Sequence, residues 1–202
     1  MRNRLVLLPI LLLVSATLVM ADVYNNGPTD GRTNAWPINF GFANSESFDV
    51  GGSGASITGL DFAAWLFPGD ILQTVEVAVT SEEFGGTTYF DQVLTFSQGD
   101  CFANDLGFNV CTETANFDLN LPRGTFWLTL NNAVLNNGDP VYWDENSGPS
   151  SASQNEIGTI YSEAFTLNGT VNGTGTTPEV SSLLLFGTGV VGLLGTFKRK
   201  LL

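Results

Sequence analysis

Hydrophobic and polar residues alternate with a period of two along the middle of this chain. In ILQTVEVAVT (71–80), Ile71, Val75, Val77 and Val79 fall on one face, and Thr74, Glu76 and Thr80 on the other. Successive side chains of a strand point to opposite faces, so such alternation predicts a half-buried strand. TTYFDQVLTFS (87–97) groups Phe90, Leu94 and Phe96. ANFDLNL (115–121) groups Phe117, Leu119 and Leu121, and GTFWLTL (124–130) groups Phe126, Leu128 and Leu130. Further strands are expected over 46–50, 56–66, 140–143 and 157–167. Turn signals separate these runs: Gly51-Gly52, Phe67-Pro68-Gly69-Asp70, Gly85-Gly86, Leu121-Pro122-Arg123-Gly124 and Asn136 to Pro140. Pro68-Gly69 suits a type II turn, with φ fixed at the first position and positive at the second. No stretch of the middle shows a long helical period, and no internal repeat is visible. Short strands at a spacing of about 8–12 residues predict an all-β fold, an antiparallel β-sandwich of jelly-roll type. Trp36, Trp65 and Trp127 are expected in its core or half-buried on its strands.

Charge narrows the chemistry. Between residues 22 and 177 there are nineteen acidic residues against two basic ones, Arg32 and Arg123, a net charge of −17. Such a polyanion has no means of neutralising a phosphate backbone, so nucleic acid is excluded as a partner. The acidity is read as surface charge that keeps the domain soluble. The chain has no histidine, which removes Ser-His-Asp and Cys-His catalysis and Cys/His zinc sites. Paired carboxylates remain, at Glu82-Glu83 in a turn and at Asp144-Glu145. Glycoside hydrolysis needs two carboxyls about 5–10 Å apart across a sugar, whereas adjacent acids in a turn are read as solvated surface. The protein is therefore not expected to be an enzyme.

The two ends of the chain carry the clearest signals. Arg2 and Arg4 precede an apolar stretch from Leu5 to Met20, and Ala21 supplies a small residue at its end. That is the n-region, h-region and cleavage site of a signal peptide, residues 1–21, with an uncleaved anchor as the other reading. At the far end, TPEVSSLLLFGTGVVGLLGTFKRKLL (177–202) contains an apolar run, Leu183 to Phe197, interrupted by four glycines. Each glycine costs about 1 kcal/mol in a water-exposed helix, and the run has no polar face. In a bilayer the helix is enforced because every backbone group must bond internally. A C-terminal transmembrane helix is thus expected. Lys198, Arg199 and Lys200 hold its end in the cytoplasm, leaving the preceding residues outside.

The order Pro178-Glu179, small polar residues, glycine-rich apolar helix, basic cluster and chain end resembles the PEP-CTERM sorting signal. Val180 stands where that family has proline. The resemblance covers residues 178–202. It implies an exported protein of a Gram-negative bacterium that makes exopolysaccharide and biofilm. It also implies processing by an exosortase, a membrane-embedded cysteine protease. The segment NGTVNGTGTT, small and polar, reads as a flexible linker over 168–177. Its two sequons, at Asn168 and Asn172, read as spacer. The expected organisation is a signal peptide, a sandwich domain over 22–167, the linker and the sorting tail.

Export places Cys101 and Cys111, the only cysteines, in an oxidising compartment. Pairing across the stretch FANDLGFNV is expected there. One internal segment, DPVYWDENSGPSS (139–151), combines aromatic and oxygen-bearing side chains. Tyr142 and Trp143 can stack on a sugar ring. Asp139, Asp144, Glu145 and Asn146 are hard oxygen ligands of the kind calcium takes. The competing reading makes one ring core and the rest an ordered loop. Alternation puts the two rings on opposite faces, one buried and one available. Two function classes follow. The first is a non-catalytic exported protein, membrane-tethered, then at the cell surface or in the extracellular matrix. The second is a carbohydrate- or calcium-binding sandwich module that uses 139–146 and needs no other cofactor.

Overall fold

Alternation became strand wherever one face had a core to meet. The computed structural model describes residues 21–173. These form thirteen strands, with no helix among the described residues. The signal-peptide stretch 1–20 lies outside them. So do residues 174–177, the apolar run 183–197, and Pro178, Glu179, Val180, Lys198, Arg199 and Lys200 of the expected sorting tail.

In chain order the strands are β1 (Ala21–Asn25), β2 (Ala35–Pro37), β3 (Ala43–Val50), β4 (Ala55–Leu66), β5 (Leu72–Glu82), β6 (Gly85–Thr95) and β7 (Ser97–Ala103). Then follow β8 (Asn109–Leu121), β9 (Gly124–Leu135), β10 (Tyr142–Asp144), β11 (Ala152–Gln154), β12 (Gly158–Ile160) and β13 (Phe165–Val171). All pairings are antiparallel. One sheet runs β12-β11-β3-β9-β5-β6. In the other, β1-β13-β4 continues to β8 and β7, while β10 and β2 extend from the end of β4 that β13 leaves free. The two sheets stack in a sandwich-like arrangement on one shared core. Val75, Val77, Val79, Leu128 and Leu130 come from one sheet, and Ile57, Leu60, Phe62 and Ala64 from the other, all at most 2 % exposed.

The turn chemistry behaves as the sequence predicts. Asp70 N–H donates to Phe67 C=O at 3.0 Å, closing the Pro68-Gly69 turn, and Gly69 has φ +96°. Three expectations need correction. Ile71 does not share the face of Val75. It is 52 % exposed while Leu72 is buried, because the pairing of β5 with β9 shifts register between Leu72 and Glu76 and flips the face. The run 157–167 is two strands, β12 and β13, broken at 161–164. The stretch 168–171 is not linker: it completes β13, pairing with β4 and β1. Asn168 donates its amide to Asp61 Oδ2 at 2.8 Å. Gly169 sits where a Cβ would lie 2.1 Å from Ser56 C=O. The glycine that looked like a spacer is there to let two backbones meet.

Cys101 and Cys111 are bonded, with Cα atoms 4.1 Å apart. They face each other across β7 and β8 as a cross-strand pair. The strands extend past the cysteines, so the hairpin loop is only 104–108. Reduction is expected to lower the stability of the domain by about 2–3 kcal/mol through loss of the ten-residue closure. Denaturant unfolding with and without reductant checks this.

Candidate functional site

The segment 139–146 does not form one surface site. Asp139 stays apart, in a turn where its side chain accepts from Asn137 at 3.0 Å. Tyr142 and Trp143 do point to opposite faces. Tyr142 is half-buried and meets Phe108 edge-on. Trp143 is fully buried in the core, packed edge-on between Phe62 and Phe165, with its indole N–H on Ala164 C=O at 2.9 Å. A ring in that position has no face to offer a sugar. Asn146 is spent on structure. Its amide donates to Asn26 C=O, and its carbonyl accepts from Gly148 N–H.

The acids of this segment belong to a buried polar compartment, most of it between the sheets at one end of the sandwich. Asp144 lies on the outer side of β10, roofed by the loop after β1. It accepts from Asp30 N–H and Gly31 N–H at 2.9 and 3.0 Å and from the Trp65 indole at 2.6 Å. Glu145 accepts from the Trp36 indole at 2.7 Å. Two further acids, which sequence reasoning missed, complete it. Glu46 on β3 and Glu163 before β13 are each fully buried. Glu46 Oε1 accepts from Glu163 N–H at 2.6 Å, and both its oxygens take the Ser150 hydroxyl. Glu163 Oε1 accepts from the Asn44 amide at 2.9 Å. A signal for Glu46 was present: it alternates with Phe48 and Val50 and so must face inward with them.

Among the described residues no cation balances these carboxylates. The only basic residues between 21 and 173 are Arg32 and Arg123, both exposed. Burial therefore acts nearly unopposed. It pushes Glu46 up to about 7 despite its hydrogen bonds, and Asp144 up to about 6. Glu163 is raised well above the ordinary carboxylate range, first by burial and then by the charges of Glu46, Glu145 and Asp144. A fourth such group, Glu113 on β8, sits away from the compartment among core residues. Burial raises it to about 7. Gln98 lies opposite and its nearby amide holds the rise back in part, but the bond that amide completes is to Cys111 Sγ, and neither Glu113 oxygen has a well-formed partner.

Asp139 takes the Asn137 side-chain amide, while Asp144 and Glu145 take different backbone and side-chain N–H donors, so the carboxylates of 139–146 do not converge. Among the described residues no group of three or more His, Cys, Asp or Glu is placed to hold a metal ion. An open groove of about 470 Å³ lies on the outer face of the β13-β4-β8 sheet, lined by Asn25, Asp61, Thr112 and Thr166. Its one carboxylate is taken by Thr114 and Asn168. Trp36 and Trp127 are half-buried and Trp65 is buried, as expected. Trp127 alternates with inward Phe126 and Leu128, so it lies on the outer face of its sheet between Ser47 and Thr80. The other three indoles donate to Glu145, Asp144 and Ala164, and Trp127 donates to no described residue. No family model matches this chain, and no curated protein matches it.

Proposed function

We propose that the chain is an exported, non-catalytic protein. Its jelly-roll domain is held at the membrane by residues 178–202, which an exosortase-type protease processes, and then stands at the cell surface or in the extracellular matrix. The observation that supports this reading is the Cys101–Cys111 bond, which uses both cysteines of the chain. Such bonds persist in oxidising compartments. The strand order agrees with the jelly-roll assignment. Numbering the eight main strands (β1, β3, β4, β5, β6, β8, β9, β13) from one to eight, the sheets read 1-8-3-6 and 2-7-4-5, two interlocked Greek keys. Polysaccharide is the partner class such a location supplies, and Trp127 is the indole open to it.

Truncation tests the reading. A chain ending at residue 177 is expected to be exported, soluble and folded, with no free thiol. The full chain is expected in the membrane fraction until a co-expressed exosortase shortens it. Mass spectrometry of the mature ends reads both cleavages. An insoluble truncation, or free Cys101 and Cys111 in freshly exported protein, would overturn the proposal.

A further inference from the structure

Asn44 and Glu163 are joined by one hydrogen bond and left incomplete by it. The amide nitrogen of Asn44 donates to Glu163 Oε1 at 2.9 Å and also to Trp36 C=O at 3.2 Å. A backbone carbonyl only accepts, so the nitrogen must be the atom facing it, and the orientation of the amide is fixed. The two atoms left over, Asn44 Oδ1 and Glu163 Oε2, are both buried and both without a partner. With Glu163 ionised, both are acceptors, and no donor reaches either. A proton on Oε2 changes this. In a side-by-side pair built on the Asn44 N–H to Oε1 bond, the acid O–H would donate to Asn44 Oδ1, and one proton would satisfy both orphans.

We propose that Glu163 is held as the neutral acid, paired side by side with the Asn44 amide, and that this proton is a pH-sensitive latch on the end of the sandwich formed by β2, β10, β11 and β12. The charged groups around Glu163 all act in one direction: Glu46 from β3, Glu145 just after β10 and, farther off on the outer side of β10, Asp144. Of the neutral neighbours, Asn44 from β3 opposes them with its hydrogen bond, Asn26 after β1 binds the Glu163 C=O, and Trp36 of β2 takes the Asn44 amide on its C=O. Among the described residues no cation faces Glu163. Glu163 also organises the neighbours that hold this end together. Its N–H binds Glu46, its C=O accepts from Asn26 at 2.6 Å, and it bridges Glu145 across the sheet. The short strands depend on these contacts because three-residue ladders contribute little by themselves. The long strands β4, β5, β8 and β9 do not.

The direction follows from linkage. A carboxyl whose folded pKa is raised stabilises the fold below its unfolded value and loses that contribution as pH rises through the folded value. The latch is closed in acid and released in alkali. At its centre, the expulsion of one proton leaves two buried acceptors without a donor and a fourth negative charge in a compartment with no counter-ion among the described residues.

The test uses the full chain. Site-resolved hydrogen exchange, expressed as protection factors, is followed from about pH 5 to about pH 9. Protection over 34–37, 142–146 and 152–163 is expected to fall about tenfold or more beyond any fall in β5 and β9, which report the stability of the whole domain. In Glu163→Gln the amide reproduces the protonated acid, donating to Asn44 Oδ1 and accepting from Asn44 Nδ2. Its excess loss of protection at that end, relative to β5 and β9, is expected to be much smaller over the same range, and its thermal midpoint at alkaline pH to equal or exceed that of the unaltered chain. A Glu163→Gln variant that is less stable than the unaltered chain in alkali would overturn the proposal. If that variant does not fold, carboxyl-carbon NMR of the unaltered chain decides. A Glu163 signal still protonated at neutral pH supports the latch, and one titrating like a solvated glutamate overturns it.

Discussion

The domain is expected to be most stable in mildly acidic solution and to lose several kcal/mol between about pH 4.5 and pH 8. Most small proteins show the reverse on the acid side, because their native carboxylates are stabilised as anions. Here Glu46 and Glu113 are pushed up to about 7 and Asp144 to about 6. Each binds its proton more tightly folded than unfolded. For each of them, stability is intact below the ordinary carboxylate range and is lost as pH rises through the raised value. A shift of this size corresponds to about 3 kcal/mol per group as an upper bound, and effective burial in a breathing protein brings it lower. Glu113 isolates the effect. It shares the inward face of β8 with Cys111 and Ala115, opposite Phe62, and neither oxygen has a partner. Glu113→Gln is expected to stabilise the chain by about 1–3 kcal/mol at pH 8 and to change little near pH 4. Denaturant midpoints at the two pH values check this. Equal effects at both would show that Glu113 is not ionising inside the fold.

Trp143→Ala is expected to cost at least about 3–5 kcal/mol, the range for removing a large aromatic from a packed core. The indole is fully buried and holds edge-on contacts with Phe62 and Phe165 of the neighbouring strands β4 and β13. Its N–H also caps Ala164 C=O. Trp143→Phe is expected to lose far less, since that carbonyl keeps a second donor, Ala63 N–H at 3.2 Å. Urea unfolding of the two variants separates packing from hydrogen bonding. The same pair of variants speaks to ligand binding. A residue with no accessible face alters binding only by unfolding the domain, so any affinity of Trp143→Phe for polysaccharide should match that of the unaltered chain.

The strands β5, β6, β8 and β9 were legible because each is long and buries one face. Two or more turns of alternation leave a pattern that chance rarely makes. Strands β2 and β11 were not, since three residues cannot display a period. Ile71 misled because a register shift in β5 reverses the faces, and such shifts have no local signature. The buried acids were half legible. Glu46 lies in phase with Phe48 and Val50, and Glu113 in phase with Ala115 and Leu119, so alternation alone puts both inside. What alternation does not reveal is their company. Asn26, Asn44, Glu46, Glu145 and Glu163 meet from positions up to 137 residues apart, and only the topology brings them to one end. The segment 139–146 was singled out for its chemistry, and apart from Asp139, which stays in its turn, that chemistry is spent within the fold on indoles and the backbone.

The adjacency of β1 and β13 has a mechanical meaning. Ala21 lies opposite Gly169, so the described chain enters and leaves the fold at the same end of one sheet. Tension applied between the start of β1 and the end of β13 would peel the strands apart, each backbone bond bearing the whole load in its turn. Tension between the C-terminal flank and the far end of the sheet would instead drag β13 lengthwise along β4, where seven paired positions share the load at once. The domain is thus weak to a pull in one direction and strong in the other.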